Sequence, residues 1–121
     1  MGNRILLVDD SESIREVVSF TLNSAGHDVI QASNGKEAID LLANSNVDLI
    51  ITDLHMPVMD GIALIGEIRK SEVHKFTPIL FLTTESQTLK KNEARDAGAT
   101  GWIVKPFVPE KLLAAITKVV R

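Results

Sequence analysis

The sequence predicts one α/β domain over residues 1–121, a doubly wound parallel sheet of five strands flanked by five helices. Three observations carry that prediction. Five short runs are apolar on successive residues, as strands buried on both faces are. Segments of helical period follow each run. The two kinds alternate along the whole chain, and such alternation builds a parallel sheet with right-handed crossovers.

The first strand is Ile5-Leu6-Leu7-Val8. Ile14, Val17, Val18, Thr21, Leu22 and Ala25 then recur at spacings of three and four and mark one face of a helix. Ser13 and Glu16 have capping-box spacing at its start, and Gly26 stands where a left-handed cap would end it. Val29-Ile30 is the second strand. Asn34 with Glu37 repeats the start signal before Ala38, Ile39, Leu41 and Leu42. Leu49-Ile50-Ile51 is the third strand, and Ile62, Ile65 and Ile68 mark the third helix. Ile79-Leu80-Phe81-Leu82 is the fourth strand. The stretch from Gln87 to Ala97 offers mainly Leu89, Ala94 and Ala97 as apolar residues, which predicts a helix with a thin buried stripe, loosely docked. Trp102-Ile103-Val104 is the fifth strand. Leu112, Leu113, Ile116, Val119 and Val120 mark the fifth helix, with Pro109 near its first turn.

Composition excludes several classes of function. A chain of 121 residues with 45% apolar content is one globular domain with an ordinary core. Thirteen basic against sixteen acidic residues give a net charge of −3, which argues against nucleic acid or an anionic membrane as main partner. The absence of cysteine removes disulfides, thiolate zinc sites and cysteine nucleophiles, and it fits a reducing cytoplasm. No apolar run approaches the ~18 residues that span a bilayer, and the N-terminus is too short and too acidic for a signal peptide. The expectation is a cytoplasmic monomer.

Ligands of an open parallel sheet bind just past the carboxyl ends of its strands. The first strand ends in Asp9-Asp10, the third in Asp53, the fourth in Thr83 and the fifth in Lys105-Pro106. The second ends at Ala32, with no charge or hydroxyl. The fold therefore gathers three carboxylates, a hydroxyl and an ammonium at one edge. Two carboxylates about 4 Å apart repel by roughly 4 kcal/mol at an effective dielectric of about 20. Lys105 supplies one compensating charge, and a divalent cation is the natural remainder. All-oxygen ligands with few protein carboxylates suit Mg²⁺. An aspartate after a strand often only caps a helix, and Asp10 or Ser11 could do just that. Other sites are absent: there is no GxxxxGK[ST], no GxGxxG after the first strand and no GxSxG. His27, His55 and His74 lack partners at metal-ligand spacing. An aspartyl-nucleophile phosphohydrolase of the haloacid-dehalogenase type wants a second Asp two residues after the nucleophile. His55 holds that position after Asp53, and Ser11 after Asp9, so that enzyme is disfavoured.

Leu7-Val8-Asp9-Asp10, Asp53 to Gly61, Leu82-Thr83-Thr84, Ala97-Gly98-Ala99 and Val104-Lys105-Pro106-Phe107 together resemble the receiver domain of two-component response regulators, the single-domain, CheY-like, chemotaxis-type members in particular. The resemblance covers essentially the whole chain. It implies a flavodoxin-like fold with strand order 2-1-3-4-5, an order known for that family and not read from periodicity here. It implies that Asp53 takes a phosphoryl group from a phosphohistidine of a sensor histidine kinase. It implies Mg²⁺ held by Asp9, Asp10, Asp53 and the backbone carbonyl of His55. Thr83 and Lys105 bind the phosphoryl group, and the Lys105-Pro106 bond is expected to be cis.

The family's switch position on the fifth strand is commonly Tyr or Phe, and here it is Trp102, the single tryptophan. His55 and Glu85, two residues after Asp53 and Thr83, stand where the family tunes acyl phosphate lifetime. The output is a non-enzymatic population shift. It is expected on the fourth helix, fifth strand and fifth helix, with a downstream protein such as the flagellar motor switch as target. The rival readings are a phosphorelay intermediate and the receiver part of a larger transcriptional regulator.

Overall fold

The computed structural model describes residues 2–120; Met1 and Arg121, the ends of the expected 1–121 domain, lie outside the described residues. The chain runs β1 (Arg4–Val8), α1 (Glu12–Ser24), β2 (Asp28–Ala32), α2 (Gly35–Leu42), β3 (Leu49–Thr52), α3 (Gly61–Arg69), β4 (Ile79–Thr83), α4 (Thr88–Ala97), β5 (Gly101–Val104) and α5 (Pro109–Val119). All strand pairs are parallel, in the order β2-β1-β3-β4-β5. The reversal beside β1 leaves a crevice beyond the carboxyl ends of β1 and β3.

Successive strand residues feed opposite faces. Leu6, Val8, Ile50, Ile79 and Phe81 join Ala38, Leu64, Ile65, Ile68 and Ala94 in one buried cluster under α2, α3 and α4. Ile5, Leu7, Leu49, Ile51, Leu80 and Leu82 join Val18, Leu22, Leu112 and Ile116 in the other, under α1 and α5. This two-sided burial is why the strands read as continuous apolar runs.

The helix ends show where local chemistry sets the boundaries. The expected start of α1 at Ser13 and Glu16 is corrected to Ser11. Asp9 Oδ1 accepts from the Ser11 N–H at 2.9 Å, and Ser11 Oγ accepts from the Ile14 N–H at 3.3 Å. The chain therefore turns into the helix two residues earlier. At its far end Gly26 has φ +92, and the His27 N–H reaches the Leu22 carbonyl at 3.0 Å, a left-handed C-terminal closure. Asn34 caps α2 through the Glu37 N–H at 2.8 Å, and Glu37 accepts in return from the Ser33 N–H at 2.9 Å.

The α4 helix is bound unequally along its length. Only Ala94 of it is buried, Leu89 is 81% exposed, and Gln87 offers no side-chain cap at its N-terminus. Its C-terminus is fixed. Gly98 there adopts φ +117, and Arg69 donates to the Gly98 carbonyl at 2.7 Å while also holding the carbonyls of His74, Lys75 and Thr77.

His74 is buried at the edge away from the crevice, with Nε2 accepting from the Val47 N–H at 3.4 Å. Desolvation by burial lowers its pKa from 6.5. The folded chain therefore binds fewer protons than the unfolded one below 6.5, so this contribution is whole above that pH and is lost as pH falls towards the folded value. Urea unfolding between about pH 7.5 and about pH 5.5 should show wild type losing more stability than His74→Gln. Equal losses would contradict the assignment of that slope to His74.

Candidate functional site

The ends of β1 and β3 are tied before any side chain is considered. The Asp53 N–H donates to the Val8 carbonyl at 3.0 Å, and the Asp9 N–H to the Ala32 carbonyl at 3.1 Å. The Thr52 hydroxyl donates to the Asp53 carbonyl at 2.9 Å. Gly61 lets the start of α3 press against this loop. A Cβ there would lie 2.5 Å from the Asp53 carbonyl oxygen and 2.4 Å from the Phe81 ring.

On this frame Asp9, Asp10 and Asp53 each present a carboxylate oxygen, all within 4.8 Å of one another. Asp9 and Asp53 are 2% and 9% exposed, whereas Asp10 is exposed. Lys105 reaches across from the end of β5, its Nζ 2.8 Å from Asp9 Oδ2 and 3.2 Å from Asp53 Oδ2. The second oxygens are held by backbone N–H groups, Asp9 Oδ1 by Ser11 and Asp53 Oδ1 by Leu54 at 2.7 Å. Burial alone would push the Lys105 ammonium towards losing its proton. The hydrogen bond to Asp9 and the charges of Asp53 and Asp9 outweigh it, so its pKa is raised above 10.5.

Among the described residues Lys105 is the one cation paired with these three carboxylates. The donors are all carboxylate oxygens, without nitrogen or sulfur, and one of them faces solvent. That set fits a hard divalent cation that keeps several waters, the chemistry of Mg²⁺.

The other expected residues gather beside the cluster without all joining it. Thr83 is buried, and its hydroxyl accepts from the Glu85 N–H at 3.2 Å; among the described residues no hydrogen bond joins it to a carboxylate. The Lys105-Pro106 bond is cis, and the Lys105 N–H donates to the Thr83 carbonyl at 2.7 Å. His55 and Glu85 meet across the crevice, with the ring Nε2–H donating to Glu85 Oε1 at 2.9 Å. That bond, aided by the Gln87 N–H, holds the Glu85 carboxyl below its usual pKa. The Trp102 indole N–H donates to the Glu85 carbonyl at 2.9 Å, and its ring packs on Phe81 with centroids 5.2 Å apart.

Sequence reasoning missed Arg15, whose guanidinium donates to the Asp9 carbonyl at 2.6 Å. Only the correct helix start, four residues earlier at Ser11, would have placed it over that loop.

A five-stranded sheet of this order, with an acidic cluster and a lysine at its carboxyl edge, defines a class of α/β domains with a crevice suited to a divalent cation. The model of the response regulator receiver domain matches residues 5–117, and the chain belongs to that family. The chemotaxis protein CheY4 of Vibrio cholerae is 47% identical and superposes with a TM-score of 0.95, covering 99% of this chain and 100% of that one. The receiver domain of the sensor histidine kinase PA1611 from Pseudomonas aeruginosa is 28% identical with a TM-score of 0.90, covering 98% of each chain. It was solved with a magnesium ion coordinated in its active site cleft. Among curated proteins, the transcriptional regulatory protein SrrA of Staphylococcus aureus is 36% identical over all of this chain and 49% of its own length. The chain thus spans about half the length of the curated relatives it matches.

Proposed function

We propose that this chain is a phosphoacceptor in which Asp53 takes a phosphoryl group from a phosphohistidine of a sensor histidine kinase. The observation that supports this most is the Lys105 ammonium within 3.2 Å of Asp53 and 2.8 Å of Asp9, in a crevice that three carboxylates share. An Asp53 oxygen attacks phosphorus as the P–N bond breaks, the imidazole keeps that electron pair, and an acyl phosphate remains. The chain contributes position and charge, which is nearly all that phosphoryl transfer asks of a protein. Lys105 faces the transferred oxygens. The Thr83 hydroxyl accepts from the Glu85 N–H, which leaves its own hydrogen to donate to a phosphoryl oxygen. Asp9, Asp10, Asp53 and the His55 carbonyl would hold Mg²⁺. When bound, Mg²⁺ neutralises and orients phosphoryl oxygens. No turnover is expected beyond self-catalysed transfer and hydrolysis, so the chain acts as a signal carrier.

His55 and Glu85, paired beside Asp53, govern how water reaches the acyl phosphate. The test is labelled phosphotransfer from candidate kinases with Mg²⁺, using wild type, Asp53→Asn and the His55→Ala/Glu85→Ala pair. Label should be absent from Asp53→Asn, and label retained there would overturn the reading. Decay of the double variant within about twofold of wild type, roughly 0.4 kcal/mol of barrier, would remove the lifetime role.

The output surface in this reading is α4, β5 and α5, where Leu89 and Val104 are exposed, as is Val108 just before α5. We place the chain in the cytoplasm, as a monomer, acting on a protein target such as the flagellar motor switch and not on nucleic acid or membrane. The 47% identity to a chemotaxis protein matched along its whole length supports that target. The likeness to SrrA supports a second reading, the receiver part of a transcriptional regulator. Deleting the gene should disturb swimming behaviour, and normal chemotaxis in the deletion strain would favour the second reading.

A further inference from the structure

Of the three clustered carboxylates, two are tied down at both oxygens. Asp9 is held by Lys105 and by the Ser11 N–H, and Asp53 by Lys105 and by the Leu54 N–H. The Asp10 carboxylate has no hydrogen bond and no ion pair among the described residues, yet one of its oxygens lies within 4.8 Å of an oxygen of each neighbour. An exposed carboxylate beside two others is drawn out towards water, because like charges repel. Its direction is therefore set by the backbone that carries it.

One side chain reaches that backbone. The Arg15 guanidinium, near the start of α1, donates to the Asp9 carbonyl at 2.6 Å, and the Arg15 N–H donates to the Ser11 carbonyl at 3.0 Å. The Asp9 carbonyl and the Asp10 N–H share one planar peptide unit. A guanidinium bonded to that oxygen fixes the plane, and with it the direction in which the Asp10 side chain leaves the chain. We infer that Arg15 is a positioning residue for a divalent cation, holding the Asp9–Asp10 peptide so that the Asp10 carboxylate faces Asp9 and Asp53. Arg15 in this role serves the cation-binding part of the reading above, and it does not depend on Asp53 taking a phosphoryl group.

The sign of the charge separates this role from plain electrostatics. Arg15 is a cation, and a cation near a divalent ion opposes its binding. By charge alone, removing the guanidinium would tighten Mg²⁺ binding. Positioning predicts the reverse, since a carboxylate released from its direction has to be ordered again when the ion arrives. Groups that orient metal ligands from outside change the affinity by about 10–100-fold when they are lost. The helix itself does not need the guanidinium to begin, because Ser11 caps it through the Ile14 N–H at 3.3 Å.

The test follows urea unfolding of the full, unphosphorylated chain across a titration of MgCl₂, which gives the affinity from the gain in stability. Arg15→Met should bind Mg²⁺ about tenfold more weakly than wild type. Arg15→Lys, which keeps the charge and one donor, should fall between the two. Asp10→Asn should itself weaken binding, and adding Arg15→Met to it should weaken binding further by less than about twofold, because Arg15 acts through Asp10. Each affinity is read against that variant's own stability in EDTA, so a general weakening of the fold does not imitate the effect. Binding by Arg15→Met as tight as wild type or tighter would overturn the role. So would an undiminished loss of about tenfold in the Asp10→Asn background. A wild type that gains no stability from MgCl₂ would overturn both the cation reading and this role, whereas phosphotransfer to Asp53→Asn would leave the role standing.

Discussion

Lys105 is the one cation paired with the carboxylates of both Asp9 and Asp53 among the described residues, and the rest of the crevice depends on that contact. Two nearly buried carboxylates side by side would each favour protonation or exposure. The ammonium between their Oδ2 atoms and a backbone N–H on each Oδ1 fix both in direction. Asp10 then adds a third carboxylate that makes no ion pair among the described residues. The surrounding sheet is rigid enough to keep the three carboxylates within 4.8 Å of one another.

That rigidity comes from the two-sided core. Each central strand contributes alternate residues to both buried clusters, so the ends of β1 and β3 cannot separate without disturbing packing on both faces. The hydrogen bond from Asp53 to the Val8 carbonyl and the close approach of Gly61 to the Asp53 carbonyl complete the frame. Restraint falls off away from that centre. The α4 helix buries only Ala94, so the helix beside β5 is held by the thinnest packing.

Most of the fold was legible in the sequence because burial on both faces writes itself as unbroken apolar runs, Ile5 to Val8 and Ile79 to Leu82 being the plainest. The thin stripe of α4 was legible for the same reason, since Leu89 and Ala94 are too few to bury a face. The start of α1 was misread because two serines two residues apart both offer capping oxygens. The choice between them was made by Asp9, which turns the chain at Ser11. The acidic cluster and Lys105 were legible as strand ends once the sheet was assumed. The pairing of His55 with Glu85, and the hold of the Glu85 carbonyl on Trp102, were not. Those contacts join residues 30 and 17 positions apart, and they depend on loop geometry that no periodicity encodes.

The most direct test of the charge account is the stability of wild type and Asp10→Asn, measured by urea unfolding in EDTA and again with saturating Mg²⁺. If the cluster repels itself until a cation joins it, Asp10→Asn is the more stable protein in EDTA by about 1 kcal/mol. Added Mg²⁺ should then stabilise wild type more than the variant. A variant less stable than wild type in EDTA, or a wild type indifferent to Mg²⁺, would contradict it.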